Sequence, residues 1–110
     1  MFILLVASTD SQETLETVYG LTQASLSKGH SVVVFFNSQS TRLLGSDSNS
    51  PYLPYLSELG VRLLACRTSA LESGLASSEA LIVGAEMSSL GELVDVLAEA
   101  DRALFLGRVS

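Results

Sequence analysis

Three short, unbroken apolar runs recur along the chain: Phe2 to Ser8, Val32 to Phe36 and Val61 to Ala65. None alternates apolar with polar residues, as a strand with one wet face would, so each must be covered on both faces. Strands buried on both faces belong to parallel sheets, and parallel neighbours need a long crossover, usually a helix. The intervening segments supply such crossovers. After the first run, Asp10 or Ser11 can cap a helix, with Glu13 three residues beyond Asp10. Leu15, Val18, Leu21 and Ser25 or Leu26 follow at helical spacing, and Lys28-Gly29 supplies the stop. A helix from Pro51 to Leu59 stops at Gly60, starting at Pro51 or Pro54, since proline suits only the first turn. Ser69 and Glu72 read as a capping box for a short helix ending at Gly74.

The last third repeats the pattern. Ala80 to Val83 reads as a short fourth strand. Ser89-Leu90-Gly91-Glu92 reads as a capping box, and Leu90, Leu93, Val94, Leu97 and Ala98 fit one apolar helix stripe. Ala103 to Leu106 reads as a last strand. Between Asn37 and Ser50 the pattern lapses: Thr41 to Leu44 suggests a helical turn, and GSDSNSP, from Gly45 to Pro51, a mobile loop. The expected fold is α/β, one domain over residues 1–110, with a mostly parallel sheet of about five strands flanked by helices. This is a three-layer, flavodoxin-like arrangement with right-handed crossovers.

Composition narrows the function. The 110 residues are 47% hydrophobic and carry a net charge of −6, with six Lys and Arg in all. Those six are scattered, which argues against nucleic acid and against anionic membranes as partners. No apolar run approaches the roughly 20 residues of a membrane-spanning helix. MFILLVA lacks a positive flank, so it is read as a buried first strand and not a signal peptide. One cysteine, Cys66, cannot form an internal disulfide, and a cytoplasmic setting is expected.

In open parallel sheets, ligands gather outside the carboxyl ends of the strands. Ser8 to Gln12, Asn37 to Gln39, Cys66 to Ser69 and Gly84 to Ser88 are expected there. Cys66 also precedes a helix start, which favours a thiolate, with Arg67 and Thr68 adding a cation and a hydroxyl. A reactive, partly exposed nucleophile would follow. The competing reading is a small buried hydrophobe, the common fate of a free cysteine.

Familiar cysteine chemistries fail on spacing. A Cys-x5-Arg oxyanion loop would need Arg where Glu72 stands. A thioredoxin-like pair needs a second cysteine, which Thr68 and Ser69 do not replace. A Cys–His dyad needs a histidine nearby, and the sole one, His30, begins the second strand at the far end of the sheet. ASTDSQET, after the first strand, lacks the glycines of a dinucleotide or phosphate loop, and Asp10 and Glu13 would repel a phosphate. One Cys and one His at opposite ends make no zinc site, so neither metal nor cofactor is expected. Cys66 thus has no evident acid–base partner, which suits a thiol that carries or exchanges a group.

The chain as a whole resembles the DsrE/TusD family of sulfur-relay proteins. The resemblance rests on KGHSVVVFFN (Lys28 to Asn37), ELGVRLLACRTSALESGL (Glu58 to Leu75) and MSSLGELVDVLAEADRALFL (Met87 to Leu106). It implies that Cys66 matches the cysteine that accepts a sulfane sulfur as a persulfide and passes it on. It implies sulfurtransferase activity, with donor and acceptor proteins as partners. Arg67 and Thr68 would then stabilise the anion, and Asn37 and Ser38 would line the pocket. Arg67 stands where relatives commonly carry a small residue, implying a more basic or more closed pocket. The family also contains subunits without relay activity, so a non-catalytic subunit or a small-molecule-binding module is the alternative. Members associate as homo- or hetero-oligomers: dimers, trimers or hexamers. Tyr52, Leu53, Tyr55 and Leu56 are the apolar cluster that would serve an interface, or else pack on the chain's own sheet.

Overall fold

A computed structural model describes residues 1–46 and 51–107. Most of the GSDSNSP segment, residues 47–50, lies outside the described residues. The elements are β1 (Phe2–Ala7), α1 (Gln12–Ser27), β2 (Ser31–Phe36), a 3-10 segment (Ser38–Leu44), α2 (Tyr52–Glu58), β3 (Arg62–Cys66) and α3 (Arg67–Glu72). A 3-10 turn (Ser78–Ala80), β4 (Ala85–Ser88), α4 (Leu90–Glu99) and β5 (Arg102–Leu106) complete the chain. The five strands form one sheet in the order β4-β3-β2-β1-β5, and every neighbouring pair is parallel.

Period-two geometry sorts the strand residues onto two faces. Leu5, Ala7, Val32, Val34, Phe36, Leu63 and Ala65 point to one face, beneath α1 and α2. Leu15 and Val18 from α1, and Leu53 and Leu56 from α2, close this larger core. Leu4, Val6, Val33, Phe35, Leu64 and Cys66 point to the other face, beneath Val96, Leu93 and Leu97 of α4. Tyr52 stacks near Tyr19 of α1, ring centroids 4.6 Å apart, so most of the Tyr52–Leu56 cluster packs within the chain.

Of the two caps the sequence allows for α1, the structure uses Ser11, its hydroxyl accepting from the Thr14 amide, so Glu13 is not a box partner of Asp10. Three sequence expectations shift. The fourth strand is Ala85–Ser88, not Ala80 to Val83. The apolar Leu81 and Ile82 instead clamp the end of the 3-10 segment: Leu81 bridges Gly45, and the Ile82 amide bonds the Leu44 carbonyl. The Ser69–Glu72 box does not form, because β3 runs into α3 without a loop and Cys66 is itself the cap residue. The buried stripe of α4 is Leu93, Val96, Leu97 and Ala100, leaving Leu90 and Val94 exposed. Ser89 does cap α4, accepting from the Glu92 amide.

Candidate functional site

Cys66 ends β3 and caps α3, and Arg67 is already helical. Its seat follows from strand parity. Because β3 continues through Cys66 and does not stop at Ala65, the thiol keeps the strand's alternation. It shares the α4 face with Leu64 and packs among Leu4, Val6, Val33, Phe35 and Val96. The residue is 3% exposed, so the partial exposure expected from the sequence is absent from this chain taken alone.

The structure sets one polar residue beside the thiol that the sequence did not connect to it, and a charged cluster continues from that residue. In the β3–β4 ladder Cys66 stands opposite Ser88, and register partners on adjacent parallel strands face the same side. The Ser88 hydroxyl donates to the Glu92 carboxylate one turn into α4. Arg62 lies on the same face of β3 and holds Glu86 through two hydrogen bonds of 3.3 and 3.2 Å, and Glu92 at 3.5 Å. The bond to Glu86, partly opposed by burial, holds the Arg62 guanidinium above its ordinary value, with the charges of Glu86 and Glu92 adding to it. Glu92 was legible only as a capping residue. The spacing Ser88-x-x-x-Glu92 was the available signal, but it means something only once β4 is placed.

The other predicted residues divide. Asn37 follows β2, and extending the β2–β3 register by one residue puts it beside Cys66. Its side-chain oxygen accepts from the Ser8 hydroxyl at 3.0 Å, tying the ends of β1 and β2. Ser38 has φ +51, a left-handed conformation unusual for serine. Its amide donates to the Ser69 hydroxyl of α3 at 2.8 Å, which is where the expected capping serine is engaged. Thr41 ties the same corner to Ser73 at 3.0 Å. Arg67 and Thr68 are exposed and, among the described residues, make no side-chain hydrogen bond to this network. The backbone therefore gathers Asn37, Ser38 and Cys66 at one edge, with Arg67 and Thr68 on its solvent side.

A separate groove of about 490 Å³ opens at the carboxyl ends of β1 and β5. Thr9, Ser11 and Thr14 line it and hydrogen-bond one another, and Phe105 and Gly107 form the opposite wall. Cys66 does not line it. Among the described residues, no group of three or more His, Cys, Asp or Glu side chains could hold a metal ion. No helix among them is long and apolar enough to cross a membrane.

A five-stranded parallel α/β sheet with a cysteine at the end of β3 defines a class, and the family comparison agrees with it. The DsrE/DsrF-like family model matches residues 1–106, and the chain belongs to that family. Among solved structures it is similar to a protein of unknown function, MTH1491, from Methanobacterium thermoautotrophicum. The TM-score is 0.86 at 19% identity, over 96% of this chain and 98% of that one. It is also similar to the ychN protein from E. coli, with a TM-score of 0.75 at 20% identity over 96% and 97% of the two chains. At these identities the likeness is one of fold. No curated protein matches the sequence.

Proposed function

We propose that the chain is a cytoplasmic sulfur carrier in which Cys66 accepts a sulfane sulfur as a persulfide and hands it to a partner thiol. The observation that carries this reading is the position of the lone cysteine at the β3–α3 junction in a chain of the DsrE/DsrF-like family. The chemistry needs no outside oxidant. The Cys66 thiolate attacks the outer sulfur of a donor persulfide, forming one S–S bond as the donor's S–S bond breaks and its thiolate leaves. The acceptor thiolate then attacks the outer sulfur on Cys66, regenerating the Cys66 thiolate. Sulfur–sulfur bonds are exchanged one for one. The apolar packing of Leu4, Val33 and Phe35 would shield the persulfide from stray thiols. Among the described residues no side chain caps the opening amides of α3, and Arg67 is exposed at the mouth; both favour an anion there.

The burial of Cys66 favours a second reading, a non-catalytic subunit or binding module in which the cysteine only fills the core. Intact and peptide masses, taken without reductant after incubation with a donor persulfide, separate the two. The relay reading expects one added sulfur on the Cys66 peptide, removed by an acceptor thiol and absent in Cys66→Ser. A Cys66 that gains no sulfur and resists alkylation until the protein unfolds assigns the chain to the second reading.

A further inference from the structure

The strand order places a crevice away from Cys66. From β1 the chain moves outward through β2, β3 and β4, then returns to lay β5 on the other side of β1. α1, which follows β1, covers one face of the sheet, and α4, which precedes β5, covers the other. The two crossovers therefore part at the carboxyl ends of β1 and β5. Such a reversal of strand order is where ligands settle in open parallel sheets. The groove of about 490 Å³ lies at this point, and its size is that of small-molecule sites, about 300–1,000 Å³.

What the lining can bind follows from the protons it has left to give. Thr9, Ser11 and Thr14 are joined by three hydroxyl contacts, and three contacts among three hydroxyls use all three protons. Ser11 donates to Thr14, so the ring closes when Thr14 donates to Thr9 and Thr9 to Ser11. Ser11 also accepts from the Thr14 amide, which leaves spare lone pairs on Thr9 and Thr14. The Thr17 hydroxyl donates to the Glu13 carbonyl at 2.9 Å, so it too is left an acceptor. The Glu13 carboxylate is exposed and, among the described residues, has no ion pair or side-chain hydrogen bond. Asp10 holds Arg42 at 3.5 Å, which keeps that cation with its own carboxylate. Among the described residues lining the groove there is no Lys, Arg or His. The side chains thus offer acceptors and one negative charge, and no donor.

We propose that this groove binds a small organic cation, a primary ammonium on a short apolar stem. An ammonium carries three donors and no acceptor, the complement of such a lining. Glu13 offsets its charge, and the hydroxyl oxygens of the ring and of Thr17 accept its protons. Phe105 and Leu106 supply apolar surface for the stem. The positive end of α1 opposes a cation, but it amounts to roughly half a charge against the full charge of Glu13 in the same turn. The chain's net charge of −6 adds a general attraction. A phosphate or carboxylate would meet neither a cation nor a free hydroxyl proton here. The Thr14 amide, which could otherwise serve an anion at this helix end, is already held by Ser11.

Cys66 is absent from the lining, so the inference does not rest on the sulfur chemistry and is tested apart from it. The unmodified full chain is titrated with n-butylammonium chloride at constant ionic strength and followed by backbone amide NMR. Saturating shifts are expected at Thr9, Thr14, Thr17 and Gly107, with Cys66 and Ser88 unmoved. n-Butanol has the same shape without the charge and is expected to bind about fivefold more weakly, the scale of an exposed charge pair. Butyrate is expected to leave these residues unshifted. Glu13→Gln is expected to weaken n-butylammonium binding about fivefold, and Thr17→Val to weaken it as well. Both positions are exposed, so the variants should keep the amide pattern of the fold elsewhere. Shifts that stay linear with concentration overturn the proposal. So do n-butanol binding as tightly as the ammonium, butyrate shifting the groove, or Glu13→Gln leaving the affinity unchanged.

Discussion

At the scale of single residues, Thr22 is the clearest anomaly. Its hydroxyl is buried in α1 and, among the described residues, is the one buried side-chain polar atom without a partner. A buried hydroxyl that makes no hydrogen bond loses its hydration and gains nothing in return. Thr22→Val keeps the shape and removes the polar atom. It is expected to stabilise the fold by about 1 kcal/mol, read as a higher urea midpoint at unchanged slope. A lower midpoint would mean that the hydroxyl has a partner after all. Sequence could not find this residue, because threonine on a helix face looks the same whether or not it meets a carbonyl. Cys66 was legible for the opposite reason: it is alone, and it follows an apolar run. Its register partner Ser88, which leads on to Glu92, was not, since its place beside Cys66 depends on strand register, a long-range property no local spacing encodes.

At the scale of elements, β1, β2 and β3 were legible within a residue or so, because strands buried on both faces leave continuous apolar runs. β4 was not. Its sequence, AEMS, alternates, since Glu86 and Ser88 share a face with Arg62 and Glu92, and the apolar residues nearby serve a different contact. The turn into β4 depends on Gly84, at φ +95. A Cβ there would lie 1.9 Å from the Ser57 hydroxyl oxygen and 2.8 Å from the Ser57 Cβ, so the strand start presses on α2. Gly84→Ala is expected to destabilise by about 1–3 kcal/mol through strain and overlap together. Gly84→Ala combined with Ser57→Gly should recover the part due to overlap, and a denaturation series on the pair measures it. Full recovery would show that the backbone conformation costs little. The α4 stripe failed by rotation: Leu90 and Val94 fit a helical template as well as Val96 does, and only packing on the sheet decides which face is buried.

At the scale of the molecule, the Arg62 cluster joins β3, β4 and α4 through one cation and two carboxylates. The guanidinium is raised above its ordinary value. Its contribution is therefore complete below the unfolded value and is lost only as pH climbs past it, far above neutrality. All three side chains are substantially exposed, so the pairs contribute little. Arg62→Gln is expected to cost less than about 1 kcal/mol. The difference from the unmodified chain should stay level across the neutral pH range and shrink with added salt. A cost that varies with neutral pH would place a carboxylate titration in that range and contradict this picture.

β3 passes into α3 with no intervening residue, and on the relay reading this decides which partner must move. An arm needs a loop, and Cys66 has none: its backbone is held by the ladder on one side and by the first helical turn on the other. On the relay reading Cys66 is a berth, and the visiting cysteine must bring the reach. Partners would then carry their thiols on extended tails or flexible loops. The speed of each exchange would depend on the length and stiffness of the visitor's tether.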